Sequence, residues 1–359
     1  MSGERTRRSA LLGLGASLLA APALAKSKRG EEIPSLREVG RAKGLDIGTA
    51  FSGNPDQRYR ALVARQVGLI TPEWCLKPGF LKPDRDGPYR FGEADDTYAF
   101  AKAAKLKVHG HALFWHGDPL KWVMGGEDTR RAYRELMKAV MSRYPQTVSW
   151  DVANEVLADP GPRLREQPGI PDPAAFVASL FVEAAKLAPG RVLVLNDYNL
   201  DCGRDWCADK RGRMLSFVDD LLKRGVPLKA VGLQSHLSSR YGLALDETRA
   251  FARAIGERGL EVHLSELDVN DIVLPDDVAA RDAGVAAIYR KYLAAMLQEP
   301  AVKRVVFWGL ADSDHWLVRV QADDARPAGR GRPGLFDRDF APKPAYFAVL
   351  DSLRAAPRR

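Results

Sequence analysis

The segment His263-Leu264-Ser265-Glu266-Leu267-Asp268-Val269 places two carboxylates inside a run that otherwise has the pattern of a buried strand. An ionised carboxylate among apolar side chains is costly unless it is paired, hydrogen-bonded or open to a polar cleft. Because side chains alternate along a strand, we expect Leu264, Glu266 and Asp268 to share one face and His263 and Ser265 to share the other. The segment therefore predicts a strand that carries a polar site.

A second carboxylate has a similar setting further up the chain. The run 147–153 is apolar and strand-like, and Asn154-Glu155 follows it directly. Each of these two strands carries a carboxylate where its apolar run meets polar residues. We therefore expect Glu155 to be the second carboxylate of the site that contains Glu266.

The rest of the chain repeats the same strand pattern. Eight short apolar or β-branched runs occur, at 46–51, 67–71, 107–115, 147–154, 191–197, 230–237, 261–269 and 302–310. The segments between them place apolar residues at three-and-four spacing, as Ala132, Leu136 and Val140 do, which indicates amphipathic helices. Alternation of this kind predicts an α/β protein with a parallel sheet. Eight repeats with no Gly-rich first turn favour a single (β/α)8 TIM barrel over a doubly wound sheet.

Polar and aromatic residues gather where these strands are predicted to end, the face on which such barrels carry active sites. The set comprises Glu73, Lys77, His109, His111, Trp115, Asp118, Asn154, Glu155, Asn196, Asp197, Tyr198, Gln234, His236, Glu266, Asp268, Trp308 and Trp316. Indole faces suit sugar rings, and amides, imidazoles and carboxylates hydrogen-bond hydroxyls. Cleavage of a glycosidic bond needs two carboxyl groups. The pattern predicts a carbohydrate-cleaving site at the C-terminal ends of the strands, where the long loops 159–173 and 321–334 also lie.

The N-terminus has a separate character. Arg5, Arg7 and Arg8 precede a short apolar segment that ends in Ala23-Leu24-Ala25, which is typical of an export signal cleaved near Ala25. Arg7-Arg8 resembles a twin-arginine signal, although Ala10 stands where a bulky apolar residue is preferred. We therefore expect residues 1–25 to be removed, 26–359 to form one catalytic domain, and the mature protein to be a periplasmic or secreted monomer that does not enter the membrane.

Charge and cysteine content narrow the function classes further. The formal net charge is +8, and Lys and Arg are scattered among acids with no basic stripe interleaved with aromatics, so nucleic acid is not an expected partner. Of the 3 cysteines, Cys202 and Cys207 are close enough in sequence to bond, and spacing alone leaves that pairing open.

Several motifs together resemble glycoside hydrolase family 10, the endo-β-1,4-xylanases. The strongest are Asp151-Val-Ala-Asn-Glu155, Val231-Gly-Leu-Gln-Ser-His236 and Ser265-Glu-Leu-Asp268. Further matches are 110–116, 196–199, 307–312, 335–337 and 343–346. The resemblance runs in order from about Gly48 to Tyr346.

This resemblance implies a role for each matching residue. Glu155 would be the acid/base and Glu266 the nucleophile of a retaining mechanism, with carboxyl groups about 5–5.5 Å apart. His236 would orient Glu266, Asp268 would support His236, and Asn154 would bind the sugar 2-hydroxyl. The substrate-binding set would be Glu73, Lys77, His111, Trp115, Tyr198, Gln234, Trp308 and Trp316. Xylan or xylo-oligosaccharides would be the substrate, and no metal or other cofactor is expected.

Three positions depart from the family pattern. Trp74 stands where an Asn is usual, Asp118 stands where a Gln is usual, and His109 occupies a common Arg position. Trp74 and Asp118 fall on the expected glycone side, so the length and decoration of the substrate stay open.

Three alternatives compete with a xylanase. A cellulase or mannanase of the same clan would share both carboxylates. A metal-dependent barrel hydrolase would draw on His109, His111, His236 and His263, although His263 has the wrong strand parity relative to Glu266. A sugar-binding protein without catalysis would have no need for both acids and the pair His236 and Asp268.

Overall fold

The computed structural model describes residues 33–159, 161, 164–319 and 331–359. Ser35–Arg359 forms one compact unit. The predicted export signal and most of the predicted loop 321–334 lie outside the described residues, so those predictions remain predictions.

Nine strands are described, and eight of them close into a parallel barrel. Their bounds are β1 Asp46–Phe51, β2 Leu69–Pro72, β3 Lys107–Gly110, β4 Ser149–Asn154, β5 Val192–Asp197, β6 Ala230–Leu233, β7 His236–Ser238, β8 Glu261–Asn270 and β9 Val302–Phe307. The order runs from β6 down to β1, then β9 and β8, and pairing of β6 with β8 closes the ring. Strand β7 lies outside the ring and pairs with the end of β8. The predicted (β/α)8 barrel is confirmed.

Helices follow the strands and cover the outside of the barrel. Their bounds are α1 Leu36–Ala42, α2 Gln57–Gln66, α3 Pro78–Leu81, α4 Gly92–Ala103, α5 Gly126–Arg143, α6 Pro173–Leu187, α7 Asp205–Lys223, α8 Leu245–Glu257, α9 Val278–Met296, α10 Trp316–Arg319 and α11 Pro344–Ala355. Capping fixes several of their starts. Asp172 accepts the backbone N–H of Ala175 at the start of α6, and Asp277 accepts that of Ala280 at the start of α9. None of the described helices is long and apolar enough to cross a membrane.

Some strands end earlier than predicted. The strand expected at 107–115 stops at Gly110, and the strand expected at 230–237 breaks after Leu233. At the second break, Ser235 has φ +60°, a left-handed conformation that interrupts strand geometry. The apolar runs continue past these strand ends because the connecting segments are also buried. The lengths of the apolar runs therefore predict strands that are too long.

The two strands that carry the carboxylates both contain a register shift. In β4, Asp151 pairs with Val194 but Ala153 pairs with Leu195. In β8, Leu264 pairs with Val305 and Leu267 pairs with Phe307, so β8 has one residue more than β9 between the two pairs. Such bulges redirect side chains near active sites. The alternation expected for residues 263–269 is therefore interrupted between Leu264 and Leu267, whereas Glu266 and Asp268 both contact His236 from β8.

The structure shows which of the three cysteines are bonded. Cys202 and Cys207 form a disulfide with Cα atoms 5.8 Å apart, and Cys75 is free and buried. The bond closes the segment between β5 and α7, next to the barrel mouth.

Candidate active site

Glu266 lies in a buried hydrogen-bond network at the mouth of the barrel. Its Oε1 accepts a hydrogen bond from Nδ2 of Asn196 at 2.7 Å, and its backbone N–H donates to the carbonyl of Gln234 at 3.0 Å. The adjacent Ser265 donates to Oδ1 of the same Asn196 at 2.5 Å. Neighbouring residues on β8 reach one partner because of the bulge, and Asn196 holds the carboxylate in place.

Glu155 is held in the same network from the other side. Its Oε1 accepts from Nε2 of Gln234 at 3.0 Å, and its backbone N–H donates to the carbonyl of Asn196 at 2.9 Å. Oδ1 of Asn154 accepts from Gln234 at 3.2 Å and from Asn196 at 2.9 Å. Three amide side chains therefore connect the two carboxylates, and the predicted pair does come together.

His236, whose side chain is 25% exposed, and the buried Asp268 form a pair behind Glu266. Nδ1 of His236 lies 3.0 Å from Oδ1 of Asp268, and Nε2 lies 3.2 Å from Oε2 of Glu266. The indole N–H of Trp316 donates to the other Asp268 oxygen at 2.6 Å. Burial alone would lower the pKa of His236, but the two carboxylates outweigh it and raise that pKa well above its usual value. His236 is therefore a cation facing Glu266.

His116 adjoins the other carboxylate. Its Nδ1 lies 3.7 Å from Oε2 of Glu155. Burial lowers the pKa of His116, and Arg165 lowers it further, against the opposing effect of Glu155. His116 is accordingly neutral near pH 7 and places no positive charge beside Glu155.

Lys77 lies between two indoles on the side of the site formed by β2 and β3. Its Nζ is 4.1 Å from the ring centroid of Trp74 and 4.1 Å from that of Trp115. Burial lowers the pKa of Lys77, while Glu266, Glu73 and Glu155 oppose the shift, in that order. The charges of both catalytic candidates therefore act on the Lys77 ammonium. In the described part of the chain, Nε1 of Trp115 has no hydrogen-bond partner, which leaves a buried donor for a ligand.

Glu73 is occupied by two donors. Its Oε1 accepts from the indole N–H of Trp74 at 2.9 Å and pairs with Arg319 of α10. Burial raises the pKa of Glu73, with Arg319 opposing that rise. Asp118 has a structural task instead, because its Oδ2 accepts the backbone N–H of Phe80 in α3 at 2.9 Å. Trp74 and Asp118 are the two departures from the family pattern that were expected on the glycone side. Asp118 instead holds the start of α3, whereas Trp74 projects into solvent with 48% of its surface exposed.

The four histidines of the metal-hydrolase alternative do not form one cluster. His109 and His111 both contact Oδ2 of Asp151, at 2.9 and 2.8 Å. His263 pairs with Glu261 at 3.0 Å near the start of β8, and burial lowers its pKa to about 4. His236 serves Glu266 and Asp268. His109 and His111 therefore share one carboxylate, while His236 and His263 have other carboxylate partners, so the four imidazoles are divided among separate sites along the barrel.

Two tryptophans and a tyrosine complete the predicted binding set. The Trp308 ring contacts the rings of His111 and His236, with centroids 5.2 and 6.4 Å apart. Trp316 lies 5.2 Å from the His236 ring. Tyr198 is half-buried on the opposite side of the mouth, where its hydroxyl accepts from Arg165 at 2.6 Å.

A comparison with known proteins agrees with this geometry. The model of the family described as "Glycosyl hydrolase family 10" matches residues 35–352. The chain belongs to glycosyl hydrolase family 10.

Relatives of this family 10 chain cover nearly its whole length. It is 27% identical to endo-1,4-beta-xylanase B of Thermotoga neapolitana, over 94% of this chain and 97% of that protein. It is 31% identical to the beta-1,4-xylanase of Dictyoglomus thermophilum, over 91% and 93% respectively. Xylanase 10B from Thermotoga petrophila RKU-1, solved in complex with xylobiose, superposes with a TM-score of 0.80 at 27% identity, covering 90% of this chain and 98% of that one.

The family 10 site contains residues to which the sequence had assigned no role. Asn196 links Glu266 to Asn154, and Arg165 donates to the backbone carbonyl of Glu155 at 2.8 Å as well as to Tyr198. Arg319 pairs with Glu73. Asn196 had a visible signal, since it follows an apolar run in a strand. Arg165 and Arg319 lie in loop and short-helix segments where charged residues are ordinary, so their sequence neighbourhood carries no signal.

Proposed function

We propose that this protein is an endo-1,4-β-xylanase that acts with retention, with Glu266 as nucleophile and Glu155 as acid/base. The observation that carries the proposal is the network in which Asn154, Asn196 and Gln234 connect the two carboxylates. Membership in glycosyl hydrolase family 10, with relatives named xylanases, supports xylan as the substrate.

In the first step, Glu266 attacks the anomeric carbon while Glu155 gives its proton to the leaving glycosidic oxygen. The C–O bond to the leaving sugar breaks as a covalent ester to Glu266 forms. His236, held by Asp268, faces the nucleophile as a cation and keeps it ionised and oriented.

In the second step, water attacks the same carbon, and Glu155 now accepts the water proton as the ester bond to Glu266 breaks. Loss of the negative charge on Glu266 in the intermediate makes ionisation of Glu155 easier. Two inversions give a product with the starting β configuration.

The sugar itself would be held by side chains around this pair. Trp308 and Trp316 offer ring faces, Trp115 offers its free indole N–H, and Lys77 offers a buried ammonium. Asn154 remains the candidate for the 2-hydroxyl, because its Nδ2 lies 3.4 Å from Glu155, at the edge of hydrogen-bond range.

The substrate assignment is tested by initial rates on xylan, carboxymethylcellulose and mannan under one set of conditions. Xylan is expected to be cleaved fastest, with internal bonds cut first so that viscosity falls before short sugars accumulate. Faster cleavage of carboxymethylcellulose or mannan would favour the other retaining β-glycanases of the clan.

We also propose that the chain is exported and that residues 1–25 are removed. The support is the order of basic head, apolar segment and Ala23-Leu24-Ala25. N-terminal sequencing of the protein recovered from its native host is expected to begin near Lys26, and a mature protein that retains the first 25 residues would contradict export by this signal.

A further inference from the structure

We propose that Trp74 and the hollow beside it form an additional sugar-binding position at the far glycone end of the cleft, which takes a further xylopyranosyl unit of the chain. This inference rests on the proposed function and extends it to substrate length. It concerns the position at which this chain departs from the family pattern, where an indole replaces an amide.

The Trp74 side chain is exposed but fixed. It is 48% exposed, yet its Nε1 donates to Glu73 and Lys77 lies over its ring. Glu73 and Lys77 are themselves buried. An indole held in advance by two buried groups loses little conformational entropy when a ligand stacks on it. Half of a large apolar ring facing water, with its polar atom already paired, is suited to the apolar face of a sugar.

Trp74 continues the line of the cleft. Lys77 is the shared neighbour of Trp74 and Trp115, and the backbone of Trp115 bridges to Asn154 beside Glu155. The order from the catalytic centre outward is therefore Trp115, Lys77 and Trp74, and a glycan that lies against the first two leads to the third.

The hollow next to Trp74 has polar groups suited to sugar hydroxyls. Its volume is about 140 Å³, and Ser52, Arg60, Glu93 and Asp96 line it together with the indole. Arg60 is anchored, because its Nε donates to the carbonyl of Asn54 at 2.8 Å and its guanidinium lies 5.2 Å from the Phe100 ring centroid. One stacking ring, one fixed guanidinium and two exposed carboxylates are the groups that bind a pyranose ring and its hydroxyls.

The test uses 4-nitrophenyl β-glycosides of xylose, xylobiose, xylotriose and xylotetraose, which keep the leaving group constant while the glycone lengthens. Trp74→Ala is expected to lower the ratio of kcat/KM on the longest to that on the shortest glycoside about tenfold, a change of about 1.4 kcal/mol. Trp74→Phe should keep most of that ratio, since it retains a ring. Phe347→Ala, an exposed aromatic on α11, is the matched control and should leave the ratio unchanged.

Other outcomes overturn the inference. An equal loss on all four glycosides would mean that Trp74 only supports Lys77 and Glu73. A gain on the longer glycosides would mean that the indole blocks the cleft, and an unchanged kcat/KM on all four glycosides would mean that it contacts no sugar. If the unmodified enzyme cleaves 4-nitrophenyl β-cellobioside but none of the xylosides, the proposed function itself fails, and that result is distinct from the other three.

Discussion

Glu155 is positioned by its backbone as much as by its side chain. Its φ is +55°, in the left-handed region that a non-glycine residue adopts only at a cost of about 1 kcal/mol or more. The N–H bond to Asn196 and the Arg165 bond to its carbonyl hold that conformation. Strain of this kind persists where the surrounding structure fixes it, and here it aims a carboxyl group at the cleft.

Replacing Glu155 separates its acid role from binding. Glu155→Ala is expected to lower kcat on xylan by about 10²–10⁴-fold, because the leaving sugar then departs unprotonated. A 2,4-dinitrophenyl β-xylobioside, whose leaving group needs no proton, should form its glycosyl-enzyme at a rate close to that of the unmodified enzyme. Burst kinetics measures both rates, and an equal loss on both substrates would argue against the acid role. The control is Glu127→Ala, which removes an exposed acid on α5.

Asp268 sets the charge of His236, so Asp268→Asn should change the pH profile. Without that carboxylate, only Glu266 opposes the effect of burial, so the pKa of His236 falls and His236 loses its proton at lower pH. Above that pH, Glu266 lacks its cationic neighbour. The basic limb of kcat/KM on an aryl xylobioside is therefore expected to move to lower pH, whereas a purely structural role of Asp268 would reduce activity without moving the limb.

The residues of the site were largely predictable from sequence, but their contacts were not. A carboxylate in an apolar strand is conspicuous because its burial is costly, and this identified Glu266. Arg165 is not conspicuous in this way, because it is a charged residue in a loop and its importance comes from its bond to the backbone of Glu155. Trp74 and Asp118 were both expected to face the substrate, and the structure separates them because Asp118 turns toward the backbone of α3.

At the scale of the elements, bulges in β4 and β8 determine where the carboxylates point. A bulge inserts one residue, and it lets Ser265 and Glu266 reach the same Asn196. Strands, helices and their alternation follow from hydrophobic periodicity and were predicted. The bulges could not be, because a residue added to one strand is visible only relative to its paired strand.

Helix α7 contacts the end of β5 and the segment after β4 through the buried ammonium group of Lys210. Nζ of Lys210 lies 2.9 Å from Asp197 at the end of β5, 3.0 Å from Asp159 after β4, and 3.6 Å from the ring centroid of Tyr198. Lys210 and Asp197 are both fully buried. Burial raises the pKa of Asp197 to about 6 even with Lys210 beside it.

Lys210→Met is therefore expected to be strongly destabilising. Leaving Asp197 buried without its cation should cost about 3–5 kcal/mol at pH 8. The folded pKa of Asp197 is raised above its unfolded value, so protonation favours the folded state as pH falls, and the loss should be smaller at pH 5.5. Denaturant unfolding at both pH values measures this loss. The control is Lys223→Met, which replaces an exposed lysine of the same helix and should change the free energy of unfolding little. A loss in Lys210→Met that does not depend on pH would contradict this explanation.

At the scale of the whole molecule, barrel closure brings residues from β2, β4, β5, β6 and β8 to one mouth. Parallel strands of one barrel present their C-terminal ends on the same face, so side chains far apart in sequence become neighbours. This is why the order of motifs along the chain was sufficient to predict the fold and the residues at the strand ends, but not Arg165 and Arg319, which lie in connecting segments.

Covalent trapping tests the central assignment most directly. A 2-deoxy-2-fluoro-β-xylobioside with a 2,4-dinitrophenyl leaving group slows the second step, so the ester intermediate accumulates and survives digestion. Mass spectrometry is expected to show one inactivator-derived glycosyl unit per protein, on the peptide that contains Glu266 and on that residue. A label on Glu155 or elsewhere, or complete turnover with inverted product and no label, would contradict the retaining mechanism through Glu266.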